Sequence, residues 1–319
     1  MQGALTRRRE GFTLVEMIFT TVILGVISVT LGLFIVPAIN AHRDVARRAL
    51  LVDAAESALR RMSRDIRISV PNSVRISASC GTGCASGFSL ELIPTVDGAR
   101  YCSISVADCS DLLTIGSADS AFDVLGCFRD GGFLGASGNS TYRLVVGNTG
   151  SQAYTATTQS DVMTKAGTNI SLTIVPGGGA GTCGSASGTP NSYNRHHIAL
   201  SASQTFPTAS PRQRVFVVQD AAAPVTYICN TTAGTLMRYA GYRNGTAYST
   251  AAQPTDPTAA PLSGTGAMVA GNVYACSATS TTADVQSKSV ITLTLGLRDS
   301  TVTTETVQLL NQVLLDNSI

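Results

Sequence analysis

Eight cysteines, a histidine pair and one glycine-rich stretch are the residues of this sequence whose types and spacing first suggest chemistry. Cys80, Cys84, Cys102, Cys109, Cys127, Cys183, Cys229 and Cys276 could form disulfides or hold a metal. Cys80 and Cys84 stand at a zinc-like spacing, but no second close pair with a matching spacing follows, and His196 and His197 are remote in the chain. The even count favours disulfides in an oxidising compartment, with roughly a hundred connectivities open and no spacing that chooses among them. His196-His197 lies just before Ile198-Ala199-Leu200, at the start of an expected strand. No Asp or Glu is placed nearby to orient an imidazole and no Ser sits in a strained elbow, so no triad is expected. Gly179-Ala180-Gly181-Thr182-Cys183-Gly184 fits the spacing of a phosphate loop. Such a loop must open a helix, and the Gly, Ser and Pro of 185–191 show no helical periodicity, so a plain loop is expected. These residues give no metal, no cofactor and no enzyme.

A further candidate is one carboxylate in an apolar setting. Arg7, Arg8 and Arg9 lead to Gly11 and then to Phe12-Thr13-Leu14-Val15-Glu16, and from Met17 to Ala38 no residue is charged. As a helix that run is about 33 Å long, against a hydrocarbon core of about 30 Å, so it can span a bilayer. The three arginines put the N-terminus in the cytoplasm and everything after Asn40 outside. A secretory signal peptide begins similarly, but its apolar region is shorter and ends in the cleavage site. Here the glycine precedes the run, so a cut at Gly11 removes the charges and keeps the helix. An ionised Glu16 costs up to about 2.5 to 3.5 kcal/mol at full membrane depth. It either reaches interfacial water or has a partner.

The order Gly11-Phe12-Thr13-Leu14-Val15-Glu16 before an uncharged run resembles the class III leader of type IV prepilins and type II secretion pseudopilins. The resemblance implies that a prepilin peptidase cuts between Gly11 and Phe12 and methylates Phe12. It implies that Glu16 pairs with the Phe12 amine of a neighbouring subunit, and that Gly25 and Pro37 are breakers that let the helix unwind in a filament. The stretch 47–75, with Leu59-Arg60-Arg61-Met62-Ser63-Arg64-Asp65-Ile66-Arg67 and Pro71-Asn72-Ser73-Val74-Arg75, resembles the MshO-type minor pilins of the mannose-sensitive haemagglutinin pilus. That favours the pilus branch over secretion. Implied partners are the peptidase and other minor and major pilins, with residence in the inner membrane before assembly and at the cell surface afterwards.

The elements that position these residues follow from periodicity. Val45, Ala49, Val52, Ala55, Leu59, Met62 and Ile66 form one helical stripe, with charges on the other faces. Asp44 with Arg48, Glu56 with Arg60 and Arg61 with Asp65 stand at i,i+4. The interleaved acids make this a solvated, salt-bridged face rather than a lipid or DNA surface, and the net charge of +2 gives no warrant for nucleic acid. The stripe could form a coiled coil, but its short run and small alanines favour a sheet. Pro71 and Asn72 stop the helix.

Beyond them the period becomes two. Phe88, Leu90 and Leu92 alternate with Ser89 and Glu91, and further runs lie at 142–146 and 171–175. Gly and Ser clusters at 131–139 and 177–188 read as loops. Strands at 214–219, 224–229 and 235–239 are expected to form one antiparallel meander, and 244–271 a long surface loop. Ile291, Leu293, Leu295 and Leu297 open a C-terminal hairpin whose return strand runs over 305–315.

The fold expected is α+β, a long N-terminal helix packed on an antiparallel sheet with disulfide-bonded loops. Residues 1–11 form the leader, 12–39 the membrane and filament-core helix, 40–70 the amphipathic helix and 71–319 a β-rich domain of one body or two lobes. The function implied by resemblance is a minor pilin. A minor pseudopilin shares every N-terminal feature, and an adhesin would use the loops.

Overall fold

The structure is a computed structural model that describes residues 11–104, 109–129, 135, 137–150, 152–175, 183, 194–242, 252–262, 264, 266–282 and 288–316. Arg7 to Arg9, most of the glycine-rich stretch 179–184 and most of the loop 177–188 lie outside those residues, as do parts of 131–139 and 244–271. The chain divides into two compact units, Met1–Leu50 and Leu51–Ile319.

One helix, α1 (Leu14–Arg67), carries the whole N-terminal pattern. Its first part is apolar and exposed, and a window of mean hydropathy 2.6 makes it long and apolar enough to cross a membrane. Pro37 lies inside it, where it removes one i→i−4 hydrogen bond, and the helix runs on through both Gly25 and Pro37.

In the second unit the stripe is buried from Ala55 onward. Ala55, Ala58, Leu59, Met62 and Ile66 enter one core, while Val45 is 70% exposed and Ala49 is exposed. The small Ala55 and Ala58 let the helix approach the sheet closely. Burying each of Leu59, Met62 and Ile66 contributes about 1.5–3 kcal/mol. The chain then turns at Asn72, which adopts a left-handed φ of 60°.

Three antiparallel sheets follow. The first has strands β1 (Arg75–Ser77), β2 (Gly87–Leu92), β9 (Val225–Asn230), β10 (Thr235–Ala240) and β11 (Gly266–Gly271), in the order β1-β2-β9-β10-β11. The second is β12 (Val273–Thr282), β13 (Lys288–Arg298) and β14 (Thr306–Asp316), in sequence order. The third joins β5 (Tyr142–Val146), β8 (Arg214–Gln219), β3 (Asp97–Tyr101), β4 (Asp119–Leu125), β7 (Arg195–Gln204) and β6 (Ile170–Val175), in that order. A short helix, α2 (Gln152–Thr155), follows β5.

The core under α1 draws on two of these sheets. Phe88, Leu90 and Leu92 of β2 meet the helix together with Tyr227 of β9 and Ile291, Leu293, Leu295 and Leu297 of β13. A second core, with Phe122, Val124, Leu144, Ile198 and Val217, belongs to the six-stranded sheet. A third, around Val70, Ile93, Tyr154, Met163 and Val218, lies where the chain leaves α1.

The C-terminal hairpin and its single buried face are as expected, and β12 adds a third strand to it. The meander is not. β9 pairs with β10, but β8 lies between β5 and β3 in another sheet, while β9's other neighbour is β2. Both edges of each strand are occupied, so a β8–β9 pair has no free edge to use. The expected loop 244–271 also needs correcting. It ends in β11, and its described part 252–262 covers β2, where Gln253 Nε2 donates to the Ser89 carbonyl at 2.9 Å. Ser89 is therefore as buried as the apolar residues beside it, and Glu91, held by Arg75 and Tyr242, is buried as well.

All eight cysteines are paired, as Cys80–Cys84, Cys102–Cys109, Cys127–Cys183 and Cys229–Cys276. The last links β9 to β12 and so ties the first sheet to the second. Gly87 beside the first bridge has a φ of 155°, and a Cβ there would stand 1.9 Å from the Cys229 carbonyl oxygen, which only glycine avoids.

Candidate functional site

The first turn of α1 is built by its own sequence. Thr13 caps the helix: its carbonyl accepts from Met17 N at 3.2 Å and its Oγ1 accepts from Glu16 N at 3.3 Å. Threonine followed three residues later by glutamate is the spacing of a capping box. It places the Glu16 carboxylate in the first turn, where the helix dipole favours negative charge. That cap is legible in the sequence, and the expectation of an acidic residue seeking an external partner passed over it.

The polar groups along the apolar run are nearly all satisfied from within. Thr20 and Thr21 hydroxyls donate to the Met17 carbonyl at 3.0 Å, Ser28 to Leu24 at 2.7 Å and Thr30 to Ile27 at 2.9 Å. Back-bonding of this kind hides a hydroxyl from lipid without a second helix. Glu16 differs. Among the described residues its carboxylate has no partner, and Phe12, four residues earlier, is 79% exposed. Gly25 and Gly32 leave open space on the helix surface. This segment is therefore a surface of apolar side chains with one unanswered carboxylate at its start, suited to packing against other helices.

The outer part of α1 contrasts with this. Asp65, which its spacing pairs with Arg61, instead accepts from Tyr227 Oη at 2.7 Å and from Arg238 Nε at 2.8 Å. The buried side of the helix offers it fixed donors. Burial, with the nearby Asp65 charge, pushes the Tyr227 hydroxyl well up, so it stays a donor. Asp44 pairs with Arg47 and Glu56 with Arg60 on the exposed face. Ser63 Oγ donates to the Leu59 carbonyl at 2.7 Å and reaches Asn311 Oδ1 of β14 at 3.2 Å.

The histidines are not as the sequence suggests. His197 Nδ1 donates to Asp123 Oδ1 at 2.9 Å, because β4 and β7 pair Asp123 directly opposite His197. A carboxylate far away in sequence thus orients the imidazole. Arg195 Nε also donates to Asp123, at 3.0 Å, and so do Ser110 N at 3.1 Å and the Ser110 hydroxyl at 3.2 Å. Burial raises the Asp123 carboxyl, but the bonds from His197, the Asp111 amide and Arg195 outweigh it and hold the group below the usual carboxylate range. Ser110 bonds the carboxylate and not the second imidazole nitrogen, so the hydroxyl–imidazole–carboxylate order of a nucleophilic triad is not formed by these three. The arrangement pins the 109–111 segment to β4.

His196 lies close to Cys127 and Cys183, with candidate ligand atoms all within 4.8 Å of one another. Those sulfurs are bonded to each other, so neither is the thiolate that a metal needs. His196 Nδ1 accepts from Phe128 N at 3.1 Å, and burial lowers its pKa and keeps it neutral, against the Asp97 charge that raises it.

Two further buried polar groups escaped sequence reasoning. Glu91, on β2, accepts from Arg75 Nε at 2.6 Å and from Tyr242 Oη at 2.7 Å, while Arg75 lies 3.8 Å over the Tyr154 ring. Arg143, on β5, is fully buried and donates to the Thr164 and Ala156 carbonyls. Both look like surface charges in the sequence, and only tertiary pairing buries them.

Residues 6–32 match the prokaryotic N-terminal methylation motif. The match supports the type IV prepilin and pseudopilin family, and with it processing by a prepilin peptidase and assembly with other pilins. No match was found among curated proteins or among solved structures.

Proposed function

We propose that this chain is a minor pilin of a type IV pilus of the mannose-sensitive haemagglutinin kind, cut after Gly11, methylated on Phe12 and helping to initiate or cap assembly. The observation that carries the reading is a methylation motif at 6–32 heading a helix whose apolar run satisfies its own hydroxyls, with a Glu16 carboxylate that has no partner among the described residues. In the proposed topology the leader is cytoplasmic and the β-rich domain lies outside the inner membrane, where its four disulfides would be stable. The likeness of 47–75 to MshO-type pilins supports the pilus branch. The role is structural: the His197–Asp123 pair is spent on fixing a loop, and no reaction is assigned to it.

The test is location. Sheared surface filaments should contain the chain in small amount relative to the major subunit, and deleting its gene should reduce filament number while protein secretion stays normal. Normal filaments together with failed secretion would overturn the pilus reading in favour of a pseudopilin.

A further inference from the structure

We infer that the exposed face of α1 between Asp53 and Arg64 is an interaction surface for a second copy of this chain, a conclusion that goes beyond the pilus reading and does not rest on it. Spacing pairs Arg61 with Asp65, but Asp65 is turned inward and held by Tyr227 and Arg238. Arg61 is left without its acid. Asp53, Arg61 and Arg64 are all exposed, and among the described residues no side chain pairs with any of the three. Glu56 spends only one oxygen, Oε1, on Arg60. Asp53, Glu56, Ser57, Arg60, Arg61 and Arg64 together line a groove of about 560 Å³ on this side of the helix.

The order of charge along that groove selects its ligand. Asp53 and Glu56 stand at one end, and the unanswered Arg61 and Arg64 follow about two turns later. A polyanion lying along the arginines would also meet the two carboxylates, and like charges brought together are penalised. The matching surface carries both signs at the same spacing, and the chain's own helix does. Asp53 and Arg61 are eight residues apart, as are Glu56 and Arg64. A parallel second copy shifted by about 12 Å therefore sets both acids of one helix level with both arginines of the other. An antiparallel copy centred between Ala58 and Leu59 meets the same condition, with Asp53 facing Arg64 and Glu56 facing Arg61. Ala54 and Ser57 are small and exposed on this face, which lets another helix come close. Exposed ion pairs are individually weak, so they set partner and register in a reversible contact.

The experiment uses the full-length chain in detergent, made with two different tags, and reads how much of one tag co-purifies with the other at low salt. Asp53→Arg with Glu56→Arg makes the groove wholly basic, and Arg61→Glu with Arg64→Glu makes it acidic apart from Arg60. Either double variant alone should lose co-purification about tenfold, because facing charges then repel. The two mixed together should recover the parent's level, since every facing pair is again of opposite sign. Each should melt like the parent, because the side chains changed are exposed; if a reversal lowers the melting point, Arg61→Gln with Arg64→Gln reads the loss instead. Salt at about 0.5 M should weaken the parent's association by screening, and Arg67→Glu, outside the groove, should leave it unchanged. Double variants that associate like the parent, or folded double variants that do not recover on mixing, would overturn the inference. So would a parent chain that retains polyphosphate and shows no self-association. Filament location plays no part in this readout, so the pilus reading stands or falls separately.

Discussion

Glu16 and Asp65 are carboxylates on the same helix in opposite circumstances. Asp65 is 6% exposed and held by Tyr227 and Arg238 of its own chain. Glu16 lies in an exposed apolar run and has no side-chain partner among the described residues. The outer part of α1 is folded by its own domain, whereas the inner part is an apolar surface that the described residues of its own chain leave exposed.

The largest way to break this comparison is at Gly11. A bulky Gly11→Val should abolish processing, because the peptidase must grip extended backbone beside a small residue. Mass spectrometry of membrane fractions should find only the uncut form, and full processing would refute the leader reading. At the other carboxylate, Asp65→Asn keeps the shape but weakens the charged hydrogen bonds to Tyr227 and Arg238, so the full chain in detergent should lose about 1–3 kcal/mol of unfolding stability. Unchanged stability would mean that the helix is held by the apolar stripe alone.

The smallest effect concerns pH. Burial raises the Glu91 carboxyl above its ordinary 4.5, against the charge and hydrogen bonds of Arg75 and Tyr242. A raised folded pKa means that the folded state holds the proton more tightly than the unfolded state does. The stability so contributed is fully present below the ordinary carboxylate pKa and is lost as pH rises through the folded value. Glu91→Gln should remove that slope, read as denaturation midpoints from about pH 4 to pH 7. A variant with the parent's slope would place the titration elsewhere.

The parts of this molecule legible in its sequence are those governed by local periodicity. The uncharged run, the stripe from Ala55 to Ile66 and the alternation in β2 and β13 each follow from residues close together in the chain. What escaped depends on pairing across long separations. The sequence around His197 contains no carboxylate, yet β4 brings Asp123 opposite it from 74 residues away. β8 and β9 are neighbours in sequence, but their edges are filled by strands from elsewhere. Disulfide partners such as Cys229 and Cys276, at a separation of 47, were open for the same reason. At the N-terminus the apolar run and the lone acid were readable because that segment makes few contacts with its own chain.

The central claim is that the partner of Glu16 lies in another subunit. Replacing Glu16 with Val removes a charge that is costly in lipid, so insertion and cutting at Gly11-Phe12 should be intact. What should be lost is pairing with a neighbour's Phe12 amine, strongest where packed helices exclude water. The decisive measurement compares mature Glu16→Val protein in the inner membrane and in sheared filaments with the parent. Parent-like levels in the membrane and near absence from filaments are predicted. Incorporation into filaments at the parent's level would show that the carboxylate needs no partner there and would contradict the account.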